Sequence, residues 1–584
     1  MDEQGQRFQA NIKKLEELNA RFLAVLGKKK PTHPALTGPG QEFYAQSAAS
    51  MLQDAAANPT RVFEQQVSFW SESLRNLARF QESPQQDGER GDPGDRRFSS
   101  ALWEKNPYFR LLRDQFLTNA EAVRRAVSEL DGVDEKERRR LEFFSSQIVE
   151  MMSPSNFLAT NPEALERAAE TEGDSLVRGL ENLVRDLERN DGELLVTLAD
   201  PDAFSVGDNI AVSEGAVVYR NELFELIQYS PTTEKSHRIP LLIVPPWINK
   251  YYILDLKPEN SFLRWTVEQG FTVFVVSWIN PGAGHRDTGI DKYASDGCLA
   301  AVREVKRLTG EDRINAVGYC IGGTLLALTL AYMTRTGDKS VRSATFLTTL
   351  TDFSEMAELS VFIDDDFLDA IDTEVEEKGF LPALHMSRTF SFMRAADLVY
   401  GPAVRSYMMG EPPPAFDLLY WNGDSTNLPA RMAKDYLRRL CQADEFAKGE
   451  FTLLGKRISL RDVRHPLMAI ACESDHIANW PGSYQGIAGM GSRDKTFVLS
   501  QSGHIAGIVN PPSRNRYGHY LCADWSGTPD EWRRQADFRE GSWWPRWRQW
   551  LAKRSGAKIK ARAPGDGGAA ILGPAPGTYV LEKA

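Results

Sequence analysis

The sequence predicts an α/β protein built on a mostly parallel sheet, with a helical region before the sheet and a helical segment inserted into it. Three observations carry this expectation. From about residue 206 onward, short apolar, β-branched runs alternate with segments of helical period, as the strands and crossover helices of a parallel sheet do. One such run, Ile314–Val317, leads directly into Gly318-Tyr319-Cys320-Ile321-Gly322-Gly323 and then into an apolar helix candidate from Thr324 to Tyr332. Residues 351–466, lying between two predicted strands, are too many for a crossover and read as mainly helical.

In chain order, residues 1–204 are expected to be a helical N-terminal region. Ile12, Leu15, Leu18, Phe22, Leu23 and Leu26 would share one helix face. A linker of Asp, Gly, Pro and Gln follows at about 81–96, and helical period resumes from Trp103 to about Leu187. The α/β core is expected over 205–351 and 464–555. Its strands are Ala216–Tyr219, Phe224–Tyr229, Leu241–Val244, Thr272–Val276, Ile314–Val317, Ala344–Leu350, Leu467–Cys472 and Thr496–Leu499. Those that are nearly all apolar read as central strands covered on both faces. The inserted helical cap is expected at 352–463, with helix candidates Phe353–Phe362, Thr389–Leu398 and Arg431–Cys441. An aromatic helix carrying Trp543, Trp544, Trp547 and Trp550 should pack on the sheet. Residues 556–584 form a Gly/Ala/Pro-rich tail.

Composition narrows the function classes. A chain of 584 residues with 42% hydrophobic and 26% charged residues is an ordinary globular composition, and a net charge of −11 argues against a nucleic-acid partner. The longest apolar run, around Leu325 to Met333, is too short to span a bilayer, so no transmembrane segment is expected. Met1-Asp2-Glu3-Gln4 is acidic where a signal peptide would be basic. The five cysteines, 298, 320, 441, 472 and 522, show neither disulfide nor metal-ligand spacing. Together these place the chain in a reducing, cytoplasmic setting with no metal.

The strand, Gly-x-Cys-x-Gly turn and helix around Cys320 form a nucleophile elbow, the hallmark of the α/β-hydrolase fold. Its glycines let the turn pack tightly against its neighbours. Cysteine stands where serine is usual, and a thiolate forms and releases thioesters readily. The fold orders its catalytic residues nucleophile, acid, base. Asp475 follows the strand Leu467–Cys472, and His504 follows Thr496–Leu499. Cys320, Asp475 and His504 therefore each lie just beyond a strand's C-terminal end, where ligands meet parallel sheets. Glu473 is the alternative acid, while His476 and His519 read as structural. An oxyanion hole needs two backbone N–H groups. One is expected from Ile321. The other is expected from Trp247 or Ile248 in Pro245-Pro246-Trp247-Ile248-Asn249, since the prolines have no N–H.

These residues resemble a family, the class I polyhydroxyalkanoate synthases. The resemblance rests on the elbow and on Pro245-Pro246-Trp247-Ile248-Asn249-Lys250-Tyr251-Tyr252-Ile253-Leu254-Asp255-Leu256. It extends to Tyr420-Trp421-Asn422-Gly423-Asp424-Ser425-Thr426-Asn427-Leu428-Pro429, Gly503-His504-Ile505-Ala506-Gly507, Gly541-Ser542-Trp543-Trp544-Pro545 and Asp95-Arg96-Arg97-Phe98. It covers about residues 95–555, with Trp247 a departure from the smaller residue expected there. The resemblance implies polymerisation of an (R)-3-hydroxyacyl-CoA, foremost (R)-3-hydroxybutyryl-CoA, through an acyl-enzyme on Cys320. It also implies a homodimer, a growing polyester chain at a granule surface, and no cofactor beyond the CoA thioester itself. Asp475 would either orient His504 or activate the attacking hydroxyl. The competing readings are a cysteine hydrolase of lactones, a polyester depolymerase, and a non-catalytic granule-binding protein.

Overall fold

The computed structural model describes residues 3–27, 36, 41–81, 95–525 and 527–584. Residues 82–94 of the expected linker lie outside the described residues. The chain divides into two compact units, one of residues 1–200 and 388–415, the other of residues 201–387 and 416–584.

The first unit is helical. Its long helices are Glu3–Leu26, Gln41–Ala57, Pro59–Gln81, Pro107–Ser128, Glu135–Met151 and Asp174–Arg189. Only part of the expected apolar face of the first helix is covered. Leu18 and Phe22 pack with Val177, Leu180 and Val184, whereas Ile12, Leu15 and Leu23 are exposed. The unit ends at Asp200 rather than at 204 and takes in Arg388–Ala415, which the sequence assigned to the cap. The reason is local. Gly179 leaves room for the backbone of Tyr407, whose side chain donates to Asp186 at 2.7 Å. The buried Asn182 amide donates to the carbonyls of Ser406 and Glu411. Buried polar groups on Asp174–Arg189 thus find their partners in a segment more than 200 residues away, which no periodicity reveals.

The second unit is built on an eleven-stranded sheet. In chain order its strands are β1 (Gly215–Arg220), β2 (Phe224–Tyr229), β3 (Leu241–Val244), β4 (Val273–Trp278), β5 (Ile314–Tyr319), β6 (Val341–Leu347), β7 (Leu467–Cys472), β8 (Lys495–Ser500), β9 (His519–Leu521), β10 (Asp537–Arg539) and β11 (Gly573–Pro574). Across the sheet they run β10-β9-β8-β7-β6-β5-β3-β4-β2-β1-β11. The central block from β8 to β4 is parallel, and the strands on either side are antiparallel. All eight expected strands are present within a few residues. The three added ones, β9 to β11, are two or three residues long with no apolar alternation, so tertiary pairing alone creates them. β11 also turns the expected tail into part of the sheet, paired with β1.

Register places the functional loops. Val244 pairs with Gly318, Tyr319 with Leu347, and Cys472 with Ser500. The loops that begin at 245, 320, 473 and 501 therefore leave the same end of the sheet. Within this unit the insertion contains helices Asp365–Lys378, Asp417–Gly423 and Ala430–Lys434, the last continuing as a π-helix to Gln442. Among the described residues no helix is long and apolar enough to cross a membrane.

The aromatic helix is Trp544–Ala552; Trp544 and Trp547, with Trp543 just before the helix, pack around Phe262, and Trp550 is buried as well. Trp547 has no exposed surface, and its indole N–H donates to Thr345 Oγ1 on β6 at 3.0 Å. Trp547→Ala should therefore lower stability by about 3–5 kcal/mol through the cavity and the lost bond. Urea unfolding followed by circular dichroism measures it, and a loss below about 1 kcal/mol would contradict this packing.

Candidate active site

The elbow is built by close approach. A Cβ on Gly318 would run into the Cα of Gly323, and one on Gly322 into the carbonyls of Val244 and Pro245. With those positions bare, the chain leaves β5, turns at Cys320 and enters the helix Ile321–Thr336 at once. Cys320 itself has φ 53° and ψ −127°, a backbone conformation disfavoured for any residue with a side chain. The strain is held by its amide, which donates to the Leu347 carbonyl at 2.8 Å, and by its carbonyl, which accepts from Gly323 at 2.9 Å. The thiol is half-buried, unlike those of Cys298, Cys441 and Cys472, which are buried.

His504 and Asp475 meet as expected. Nδ1 of His504 lies 2.7 Å from Asp475 Oδ2 in a buried pair. The other carboxylate oxygen, Oδ1, accepts from the backbone amides of Ile477 at 2.8 Å and Ala478 at 2.9 Å. With Nδ1 so engaged, Nε2 is the nitrogen left for the thiol, and Cys320 is near enough for its charge to act on the ring. Tyr319 stacks on the imidazole, with ring centroids 5.7 Å apart. Glu473, the alternative acid, is turned instead to Arg533 at 2.9 Å. His519 sits in β9 and hydrogen-bonds the Gly541 carbonyl at 2.9 Å, a structural role.

Electrostatics favour a charged ring. Burial pulls the His504 pKa down, but the negative charges of Asp475 and Cys320, with their hydrogen bonds, outweigh it and raise the value to about 10. A raised histidine pKa stabilises the fold in full below the unfolded value of 6.5, and that contribution is lost as pH rises toward 10. The thermal midpoint should therefore fall between pH 7 and 10 more steeply in the wild type than in His504→Gln. Parallel calorimetric slopes for the two proteins would refute the charged ring.

The loop offering the second oxyanion donor is also placed. Pro245 packs on Gly322 and its carbonyl accepts from the Trp278 indole at 2.9 Å. The bulky Trp247 is accommodated against Tyr293 and Trp278. Thr426 holds the loop from outside, its amide donating to the Ile248 carbonyl at 3.1 Å and its hydroxyl to that of Trp247. The backbone N–H groups of Ile321, Trp247 and Ile248 stay the candidate donors. Two supports went unread in the sequence. Thr426 lies within Tyr420–Pro429, where the sequence alone suggests no role for it. Trp543 and Trp544, expected to pack in the core, also donate through their indoles to the carbonyls of Gly507 and Ile508, at 2.8 and 2.9 Å, just after His504. Among the described residues no cluster of His, Cys, Asp and Glu has metal-site geometry.

Comparison with known proteins identifies the lineage of this site. Residues 94–266 match the family model described as the poly-beta-hydroxybutyrate polymerase (PhaC) N-terminus, and residues 246–511 match the alpha/beta hydrolase fold. The chain is 43% identical over 493 residues to a poly(3-hydroxyalkanoate) polymerase of Methylorubrum extorquens, covering 84% of this chain and 81% of that protein. The chain belongs to the poly(3-hydroxyalkanoate) polymerase family. Other polymerases of this family, from Rhizobium etli and Cupriavidus necator, are 40% and 41% identical, with 84% and 83% of their lengths covered. These polymerases are acyltransferases, so the chain is an enzyme of that class on an α/β-hydrolase fold, and the non-catalytic and hydrolase readings fall away. The family-model match begins at residue 94, so the first helices lie outside both family models.

Proposed function

We propose that the enzyme polymerises (R)-3-hydroxyacyl-CoA, foremost (R)-3-hydroxybutyryl-CoA, through a covalent acyl-enzyme on Cys320. The observation that carries this reading is the half-buried thiol on a strained elbow beside the His504–Asp475 pair. The Cys320 sulfur attacks the thioester carbonyl, and the oxyanion that forms is met by the N–H of Ile321 and that of Trp247 or Ile248. The carbon–sulfur bond to CoA breaks, and His504 returns a proton to the departing thiolate. The 3-hydroxyl of a second acyl group then attacks the Cys320 thioester carbonyl, its proton passes to His504, and the carbon–sulfur bond breaks, forming the ester and freeing the Cys320 thiolate. Water must be kept from that thioester, which is the task assigned to the helical insertion. The scheme calls for no metal or bound cofactor. The proposal includes a cytoplasmic enzyme working as a homodimer at the surface of its growing polyester granule.

Incubation with (R)-3-hydroxybutyryl-CoA tests the reading. Free CoA with insoluble polyester is the expected result. CoA with free hydroxy acid, or no CoA at all, would overturn it.

A further inference from the structure

The last residues of the chain end on the loop that carries two of the candidate oxyanion donors. Lys250 and Asp424 form an ion pair at 2.9 Å whose side chains are 3% and 4% exposed. Nothing in the proposed chemistry uses either residue. Their other partners explain why both charges are tolerated so deep. Asp424 accepts from the Tyr252 hydroxyl at 2.8 Å and from Lys583 at 2.9 Å, while Lys250 donates to the backbone carbonyl of Glu582 at 2.7 Å. A buried pair of this kind stands only when its remaining hydrogen-bonding capacity is met. Two of those contacts come from the C-terminal residues.

The pair joins two segments that flank the site. Lys250 follows Trp247-Ile248-Asn249 directly, and its own carbonyl accepts from the Trp421 indole at 2.7 Å. Asp424 precedes Ser425 and Thr426. Asn249 bridges to Ser425, and Thr426 holds the carbonyls of Trp247 and Ile248. Orienting the Trp247 carbonyl orients the peptide plane that it shares with the N–H of Ile248, one of the candidate donors, on its opposite edge. The tail reaches this place by its own fastening. β11 pairs with β1, and the wholly buried Glu225 carboxylate accepts from the amides of Thr578 and Tyr579 at 2.8 and 3.0 Å.

We propose that Lys250, Asp424 and the C-terminal residues 582–583 form one positioning unit that sets the 247–248 backbone for transition-state stabilisation. The unit rests on the oxyanion role proposed for that loop. It acts on rate rather than on substrate binding, because a misaligned donor loses its bond to the developing charge and leaves the ground state nearly untouched.

The test compares the full chain with a chain ending at Leu581, with Asp424→Asn, and with both changes together. A single-turnover burst of CoA counts the sites competent to acylate, and rates are expressed per such site, which removes any loss to unfolding. Acylation per site should fall about tenfold or more in each variant, with KM changed less than about twofold. The combined variant should be no slower than the slower single one, since both break the same unit. A chain ending at Lys583 keeps both contacts and should run at the full rate. An unchanged rate per site with only a lower thermal midpoint, or independent multiplication of the two losses, would overturn the proposal. Neither outcome would touch the acyl-enzyme reading, which fails separately if Cys320→Ala still turns over.

Discussion

Cys320→Ala should release no CoA above background, a loss of about 10⁴-fold or more in turnover. The change takes away the sulfur that would carry the acyl chain, and the other four cysteines cannot replace it. Three of them are buried, and Cys522 lies on the stretch after β9, not on the elbow. The fold should survive. Alanine keeps the Cβ that cysteine already holds at φ 53°, so no new backbone strain appears, and only a half-buried sulfur is lost. Cys320→Ser keeps the base but offers a weaker nucleophile, and a trace of activity is expected. Substantial CoA release by the purified alanine protein, with an unchanged circular dichroism spectrum, would end the covalent mechanism.

His504→Gln and Asp475→Asn should both slow acylation and elongation, and by similar factors. His504 is the ring on which the Cys320 charge acts, and its removal should leave no base for the thiol or for the incoming hydroxyl. The structure also bears on the two roles open to Asp475. Its side chain is wholly buried, Oδ2 is taken by His504 and Oδ1 by the amides of Ile477 and Ala478. Those contacts favour the orienting role over acceptance of a proton from a substrate hydroxyl. An asparagine there must turn its NH₂ either toward those two amides or toward Nδ1, which would impose the wrong tautomer. A loss of about 10³–10⁴-fold in both half-reactions is expected for Asp475→Asn. Rapid-quench measurement of the first CoA equivalent against later turnover separates the phases. One prompt equivalent followed by a stalled acyl-enzyme would instead assign Asp475 to the hydroxyl.

The candidate site was legible because its chemistry sits at sheet ends. Each of Cys320, Asp475 and His504 follows a strand whose apolar run marks itself, and the fold's chain order selects among the histidines. Glu473 and Asp475 both follow the strand Leu467–Cys472, with Asp475 the expected acid and Glu473 the alternative. Only the geometry separates them, one turned outward to Arg533 and the other inward to His504.

By itself the sequence determined the α/β class, the eight principal strands, the elbow and the three residues gathered at it, because burial on both faces writes a continuous apolar signal into a strand. The tertiary structure alone decided how the insertion divides, with Arg388–Ala415 joining the N-terminal helices. It alone decided that tryptophans read as core also hold the loop after His504, and that a Gly/Ala/Pro-rich tail closes the sheet edge and reaches a buried ion pair. These are hydrogen bonds between groups distant in the chain, where each partner satisfies a desolvated polar atom of the other. Such pairings have no period, and a single residue type is compatible with many of them, so they take shape only when the packed core brings the partners together.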